Sequence, residues 1–77
     1  MNAINDSTRT EALFVSNLQR SQKPTVELIR AAVAATVSTL GEARCAELVA
    51  QEYGEHPDCA PRRMLWARSA VQVAYAA

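Results

Sequence analysis

The prolines and glycines of this chain all stand between stretches of helical periodicity, and they divide it into four segments. Pro24 ends the first segment, because proline disfavours helical geometry in the residue before it. Gly41 suits the left-handed position that ends a helix, Gly54 ends the third segment, and Pro57 and Pro61 bracket the last start. No segment alternates apolar and polar residues as a strand does. The sequence therefore predicts an all-α fold, a compact bundle of four helices.

Capping signals and apolar spacing give the expected bounds of these helices. Thr8 followed by Glu11 fits a capping box, and Thr25 is a good N-cap. The expected spans are residues 9–20, 25–41, 42–53, and from 58–60 to about 76. The residues expected to be buried in the first two helices are Leu13, Phe14, Leu18, Ile29, Val33, Val37 and Leu40. Residues 1–7 are expected to be a flexible N-terminus of a single domain, 1–77.

Length and charge favour association over nucleic-acid binding. A chain of 77 residues makes one domain, and it hides too little surface to be very stable unless something pairs with it. Its eight basic and eight acidic side chains give no net charge. This removes the long-range attraction on which nonspecific nucleic-acid binders depend. Zero net charge also favours self-association, because copies do not repel one another.

The expected compartment is the cytoplasm. The N-terminus lacks the basic-then-apolar pattern of a signal peptide, and the longest apolar run, residues 31–37, is far too short to cross a membrane. Cys45 and Cys59 are too few for a disulfide scaffold. Reduced thiols are therefore expected, with a regulatory Cys45–Cys59 disulfide as an alternative.

The last predicted helix has an unusually wide apolar face. At 100° per residue, its apolar arc covers roughly half the circumference, wider than the ~100° stripe that one small core requires. The arc consists of Trp66, Val73, Ala70, Ala77, Ala74, Ala67, Val71, Met64 and Tyr75. Either a small bundle wraps this helix, or one side of it faces a second copy or another protein.

A protein interface is therefore expected on the last helix. Tryptophan and arginine are the residue types that most often carry interface energy, and this helix holds the only tryptophan and two adjacent arginines. The predicted partner-binding residues are Arg62, Arg63, Trp66, Ala70, Val73 and Tyr75.

Residues 45–68 also have the outline of a DNA-binding helix–turn–helix. Ala50 precedes Gly54 by four residues, a spacing that lets two helices cross closely, and arginines follow in the second helix. Against this interpretation, three carboxylates crowd the entrance to the second helix and would repel phosphate. They are Glu52, Glu55 and Asp58. DNA binding is therefore the alternative hypothesis.

The same corner contains candidate metal ligands but no catalytic set. Cys45, His56 and Cys59 offer three ligands, whereas a structural zinc site needs four and usually contains a close cysteine pair. His56 is the lone histidine, and the sequence does not place a serine or cysteine so that His56 could act as its fixed general base. We expect no enzyme activity, no metal and no cofactor.

Glu52 falls inside the apolar face of the third predicted helix, between Leu48 and Cys45. Burying a lone carboxylate is very costly, so we expect Glu52 to pair with Arg62, Arg63 or Arg68, or else to reach solvent. The predicted structural corner consists of Glu52, Gly54, His56 and Pro57.

The string EYGEHPDCAPRRMLWA resembles a pattern in small proteins of high-GC actinobacteria, E-[FY]-G-x-H-P-x-x-A-x-x-R-M-x-W-A. The matching residues are Glu52, Gly54, His56, Pro57, Ala60, Arg63, Met64 and Trp66. Residues 16–25 and 40–51 are similar to the same group, whereas Pro61 departs from it. The resemblance implies a helical fold and an actinobacterial source, but it implies no activity.

Together these observations predict a cytoplasmic, non-enzymatic interaction or regulatory module. It is expected to form a homodimer, or to bind another protein, through its last helix. The alternative is a small DNA-binding helix–turn–helix regulator, which zero net charge disfavours. No membrane association is expected.

Overall fold

A computed structural model describes residues 4–76, and three α-helices make up most of this part of the chain. Helix α1 spans Asp6–Val15, α2 spans Val26–Glu55 and α3 spans Ala60–Ala74, with one turn of 3-10 helix at Arg20–Gln22. No strand occurs within residues 4–76. The prediction of an all-helical fold is confirmed, but the count of four helices is not, because the second and third predicted helices form one long element.

Gly41 bends this long element. Thirty helical residues in a straight line would measure about 45 Å, whereas the longest extent of the molecule is 33 Å. Gly41 has φ 81° and ψ 164°, a region of backbone space that is essentially restricted to glycine. No atom lies within 4 Å of where a Cβ would stand, so the requirement for glycine comes from the backbone and not from crowding. The predicted helix stop at Gly41 is thus a kink.

Gly54 does not end a helix, contrary to expectation. It lies inside α2, which continues to Glu55. The helix ends at His56 (φ −132°, ψ 62°), because Pro57 disfavours helical geometry in the residue before it. The proline of the His-Pro pair, and not the glycine, therefore forms the corner.

Helix α1 begins earlier than predicted and is shorter. Its N-cap is Asn5, whose Oδ1 accepts from the backbone N–H of Thr8 at 2.8 Å, so the expected capping box of Thr8 and Glu11 is not the start. Asp6 already lies in α1, while residues 1–3 of the expected flexible N-terminus lie outside the described residues. The helix ends at Val15 because Ser16 is extended (ψ 173°), and the Ser16 hydroxyl donates to the Leu13 carbonyl at 2.7 Å.

The other predicted starts agree with the structure. The Thr25 side chain accepts from the N–H of Leu28 at 3.2 Å, which is the N-cap bond expected for α2. Helix α3 begins at Ala60 with Pro61 in its first turn. A backbone N–H at this position would have no partner within the helix, so proline loses no hydrogen bond there.

The core lies where the three helices meet. Its most deeply buried large side chains are Leu13, Cys45 and Val71, one from each helix. Among the predicted core residues, Leu13, Phe14, Ile29 and Val33 are buried, and Leu18 and Val37 are partly buried. Leu40 is 37% exposed, contrary to prediction, at the position just before the kink. No helix within residues 4–76 is long and apolar enough to span a membrane.

Candidate functional site

Arg63 reaches from α3 to the C-terminal end of α1. Its Nε donates to the Phe14 carbonyl at 2.7 Å, and its Nη2 lies 2.9 Å and 3.0 Å from the carbonyl oxygens of Leu18 and Ser16. The last four carbonyls of an α-helix have no partner within the helix, and α1 has no basic residue in its last turn. Arg63 supplies a donor to one of these carbonyls, that of Phe14, and to the carbonyls of Ser16 and Leu18 just beyond the helix. The flat guanidinium can do so because its N–H groups form a rigid fork.

Neighbouring groups hold the Arg63 guanidinium in place. It lies over the rings of Trp66 and Phe14, with its Cζ 5.2 Å and 5.8 Å from their centroids. Burial lowers the pKa of the Arg63 guanidinium, and the negative charge of Glu52 acts in the opposite direction. Arg63 was predicted to bind a partner protein. In the structure its guanidinium is bound at the end of α1, and partner binding by Arg63 stays a prediction.

Arg30 donates a hydrogen bond to the C-terminal end of α3, as Arg63 does to the C-terminal end of α1. The Nε of Arg30, on α2, donates to the Ala74 carbonyl at 2.7 Å. Two arginines lie over the ring of Tyr75, with the Cζ of Arg9 4.0 Å and that of Arg30 5.4 Å from its ring centroid. Each contact fits a cation–π interaction. Tyr75 was predicted to bind a partner, but its ring is used within the molecule.

Glu52 forms no ion pair with an arginine within residues 4–76, contrary to the favoured expectation. Its Oε2 lies 3.8 Å from Nε2 of His56, and the Glu52 side chain remains 42% exposed. The carboxylate therefore reaches solvent, which was the other expected outcome. An exposed pair at this distance contributes little to stability. Glu52 and His56 do share the corner, as predicted, but they do not fasten it.

A cleft of about 450 Å³ lies between this corner and the end of α1. Its walls include the apolar side chains of Phe14 and Leu48 and the polar side chains of His56, Cys59 and Arg63. Within residues 4–76, no three His, Cys, Asp or Glu side chains are grouped so that they could hold a metal ion. Cys45 is buried and Cys59 is exposed, and both are free thiols. The three candidate ligands of the sequence therefore do not converge.

Two features that suggested a DNA-binding helix–turn–helix, the Ala50–Gly54 spacing and the availability of Arg63, have a different role in the structure. Nothing lies within 4 Å of a Cβ built on Gly54, so the Ala50–Gly54 spacing does not serve a close helix crossing. Arg63, one of three arginines available for phosphate, donates to backbone carbonyls instead. The remaining exposed arginines of α3 are Arg62 and Arg68.

Most of the apolar arc predicted on the last helix packs inside the molecule. Ala67, Ala70, Val71 and Ala74 are buried, and Met64, Trp66 and Tyr75 are partly buried against the core. Val73 alone among the described members of the arc is largely exposed, at 68%. Ala77 lies outside the described residues. Of the predicted partner-binding residues on this arc, Val73 is therefore exposed and Ala70 is buried, and partner binding stays a prediction.

Leu65 was not among the predicted partner-binding residues, because it falls outside the apolar arc of the last helix, beside the polar positions. It is 63% exposed, and it lies eight residues before Val73, which places both side chains on one side of α3. Ser69, between them, is also exposed. We call Leu65, Ser69 and Val73 the outer face of α3. An exposed leucine and valine on one helix face form the apolar surface that this helix leaves uncovered.

No family model, curated protein or solved structure matches this chain. The resemblance of residues 52–67 to the actinobacterial pattern stays a prediction. Three of the residues that carry it now have observed contacts. Arg63 holds the end of α1, Trp66 lies beneath the Arg63 guanidinium, and His56 lies beside Glu52.

Proposed function

We propose that this protein is a non-enzymatic protein–protein interaction module that self-associates through the outer face of α3. The observation that carries the proposal is the exposure of Leu65 and Val73, at 63% and 68%, on the same side of one helix. Other exposed large apolar side chains belong to α2: Leu28, Leu40 and Tyr53. Leu65 and Val73 are eight residues apart and about 80° apart around the axis of α3, so both face the same side of the helix.

Charge supports association between copies. The chain has no net charge at pH 7, so two copies approach without the repulsion that keeps charged proteins apart. Helix α3 contains no Asp or Glu. Covering its outer face therefore does not remove water from a carboxylate of this helix. The polar side chains on this side of α3 are the Ser69 hydroxyl and the exposed Arg62, seven residues before it.

The expected affinity is modest. Fully burying an exposed leucine or valine contributes roughly 1.5–3 kcal/mol, and these two side chains are about two-thirds exposed. Two copies bury four of them, or roughly 4–8 kcal/mol, against an association cost of about 4–15 kcal/mol. The most favourable difference is about 4 kcal/mol, so the dissociation constant is expected to be about 1 mM or weaker, and the assay has to reach about 1 mM protein.

The test is the solution mass by sedimentation equilibrium, from low micromolar to about 1 mM protein. We expect the average mass of the wild type to rise towards that of a dimer at the highest concentrations and Val73→Glu to remain monomeric, because the substitution would bury a lone carboxylate in the seam. The matched control is Leu28→Glu, which changes another half-exposed leucine, 52% exposed, on α2. A dimer that Leu28→Glu splits and Val73→Glu does not would contradict the proposal, as would a wild type that stays monomeric throughout.

Ionic strength separates this proposal from the DNA-binding alternative. An apolar seam should keep its affinity between 50 mM and 200 mM salt, whereas a DNA complex with several phosphate contacts loses orders of magnitude over that range. Titration of a labelled DNA duplex in the same two buffers supplies the comparison. Salt-sensitive binding of the duplex, weakened by substitutions of Arg62 and Arg68, would favour the alternative.

A further inference from the structure

One wall of the cleft beside the corner changes from apolar to acidic along α2. Leu48, Glu52 and Glu55 all line this cleft, and residues spaced by four and seven positions lie on one side of a helix. Along the helix axis, Glu52 lies about 6 Å and Glu55 about 10 Å beyond Leu48. A molecule that contacts the leucine can therefore reach both carboxylates if it is about 6–10 Å long.

Two helices form the apolar part of the cleft. Phe14 and Val15 at the end of α1 line it together with Leu48 of α2. Val15 and Leu48 are partly exposed, so a bound molecule can cover them. The ring of Phe14 stacks on that of Tyr53, with centroids 6.1 Å apart, and this contact fixes its position. The volume of about 450 Å³ lies within the range of small-molecule sites, about 300–1,000 Å³.

The charged side chains around the cleft give it a negative character. They are Glu52, Glu55, His56 and Arg63. Within residues 4–76, neither glutamate lies within ion-pair distance of a lysine or arginine. Arg63 already donates from Nε and Nη2 to backbone carbonyls of residues 14–18. His56, whose Nε2 lies 3.8 Å from Oε2 of Glu52, adds a positive charge only when it is protonated.

The helix ends at the corner do not change this sign. The C-terminal end of α2 favours a cation, whereas the N-terminal end of α3 favours an anion. The two ends meet at residues 55–60, so their effects oppose each other. The sign of the cleft is therefore determined by its two carboxylates and one guanidinium.

We propose that this cleft binds a small organic cation, a primary amine with an apolar body about 6–10 Å long. Its ammonium group donates to Glu52 and Glu55, since an ammonium carries three donors and an ionised carboxylate only accepts. Its apolar body covers Val15 and Leu48 and removes them from water. The site is separate from the proposed function, because no residue of the outer face of α3 lines the cleft.

Titration with hexylammonium tests the proposal, followed through the backbone amide signals in nitrogen–proton correlation NMR spectra at constant ionic strength. Hexanol and hexanoate carry the same alkyl chain with a neutral and a negative head group, and they serve as matched probes. Hexylammonium should bind about threefold more tightly than hexanol or better, the scale of partly exposed ion pairs. Hexanoate should bind most weakly. At ordinary ligand efficiencies the dissociation constant of hexylammonium is about 30 mM or tighter, so the titration extends to about 100 mM.

Charge-removing variants locate the bound cation. Glu52→Gln combined with Glu55→Gln keeps the size of both side chains and removes both charges. This double variant should bind hexylammonium about threefold more weakly or worse, with hexanol unchanged. The matched control is Glu47→Gln, because Glu47 is a 66% exposed side chain of α2 that does not line the cleft. Leu48→Ala should weaken hexylammonium and hexanol alike, since both probes use the alkyl chain.

The proposal fails on any of four results. Equal affinities of hexylammonium and hexanol, or a double variant that binds hexylammonium as tightly as Glu47→Gln does, would show that the carboxylates do not select the ligand. Tightest binding of hexanoate would assign the cleft to an anion held by Arg63. Unchanged amide signals around the cleft up to about 100 mM would remove the site altogether. Tighter binding of a lysine within a short peptide than of hexylammonium would assign the cleft to a partner protein and overturn the free amine.

Discussion

Replacing Arg63 by alanine should destabilise the protein more than the same substitution of Arg30, Glu52 or Arg62. The Arg63 guanidinium makes three short hydrogen bonds, to the carbonyls of Phe14, Leu18 and Ser16 at 2.7–3.0 Å. A fourth contact, to Leu13 at 3.3 Å, is too long to count fully. The Leu13 carbonyl also accepts from the Ser16 hydroxyl, so it does not depend on Arg63.

The magnitude follows from those three bonds. A hydrogen bond from a charged donor contributes about 1.5–3 kcal/mol, but water can reach part of this site and replace some of them. We therefore expect Arg63→Ala to lower the free energy of unfolding by about 2–4 kcal/mol. For a domain of this size the midpoint temperature falls by about 4–8 °C per kcal/mol, so the expected shift is roughly 10–30 °C.

The assay is thermal and urea unfolding followed by circular dichroism. Arg62→Ala is the matched control, because Arg62 is the adjacent arginine and is exposed, and it should change stability by no more than about 0.5 kcal/mol. Arg63→Lys should fall between them, since one ammonium cannot present the fork. It also gives a readable result if Arg63→Ala does not fold. Equal stabilities for Arg62→Ala and Arg63→Ala would refute the capping role.

Three further predictions follow from the same contacts. Glu52→Ala should change the free energy of unfolding by less than about 1 kcal/mol, because the exposed pair of Glu52 with His56 contributes little to stability. A loss above about 2 kcal/mol in urea unfolding would instead indicate a buried ion pair. Arg30→Ala should lose about 1–2 kcal/mol, since it removes a charged donor from the end of α3, and a stability equal to that of the wild type would argue against that bond. Burial, and to a lesser degree the nearby Glu11 carboxylate, raises the pKa of the Cys45 thiol, so a thiol reagent should modify Cys59 alone until denaturant is added. Two reactive thiols in the native protein would contradict this.

Features that depend on neighbouring residues in the chain could be predicted from the sequence. The all-helical fold, the cap at Thr25, the break at Gly41 and the start of α3 near Pro61 each follow from one or two residues and their local geometry. Gly54 failed as a helix stop because glycine permits a left-handed turn without requiring it. Pro57 ends the helix instead, because it disfavours helical geometry at His56.

Features that depend on contacts distant in sequence could not be predicted in this way. Arg63 and Phe14 are 49 residues apart, and no local pattern indicates that an arginine on one helix completes another. Glu52 was expected to attract an arginine because it lies on an apolar face, but the nearest guanidinium was already bound to α1. Leu65 was not predicted as an interface residue because a helical wheel gives the angular position of each residue and cannot show which side of the helix the bundle covers.

The three helices hold one another in a closed cycle. The Thr8 hydroxyl of α1 donates to Glu42 of α2 at 3.0 Å, Arg30 of α2 completes the end of α3, and Arg63 of α3 completes the end of α1. Near the C-terminal ends of α1 and α3, the carbonyls of Phe14 and Ala74 thus receive an arginine donor only while a different helix is docked. A peptide of either helix alone should be largely unstructured, and the last turns of both should exchange their amide hydrogens only when the whole domain opens. The bundle should therefore unfold as one cooperative unit, without a stable two-helix intermediate.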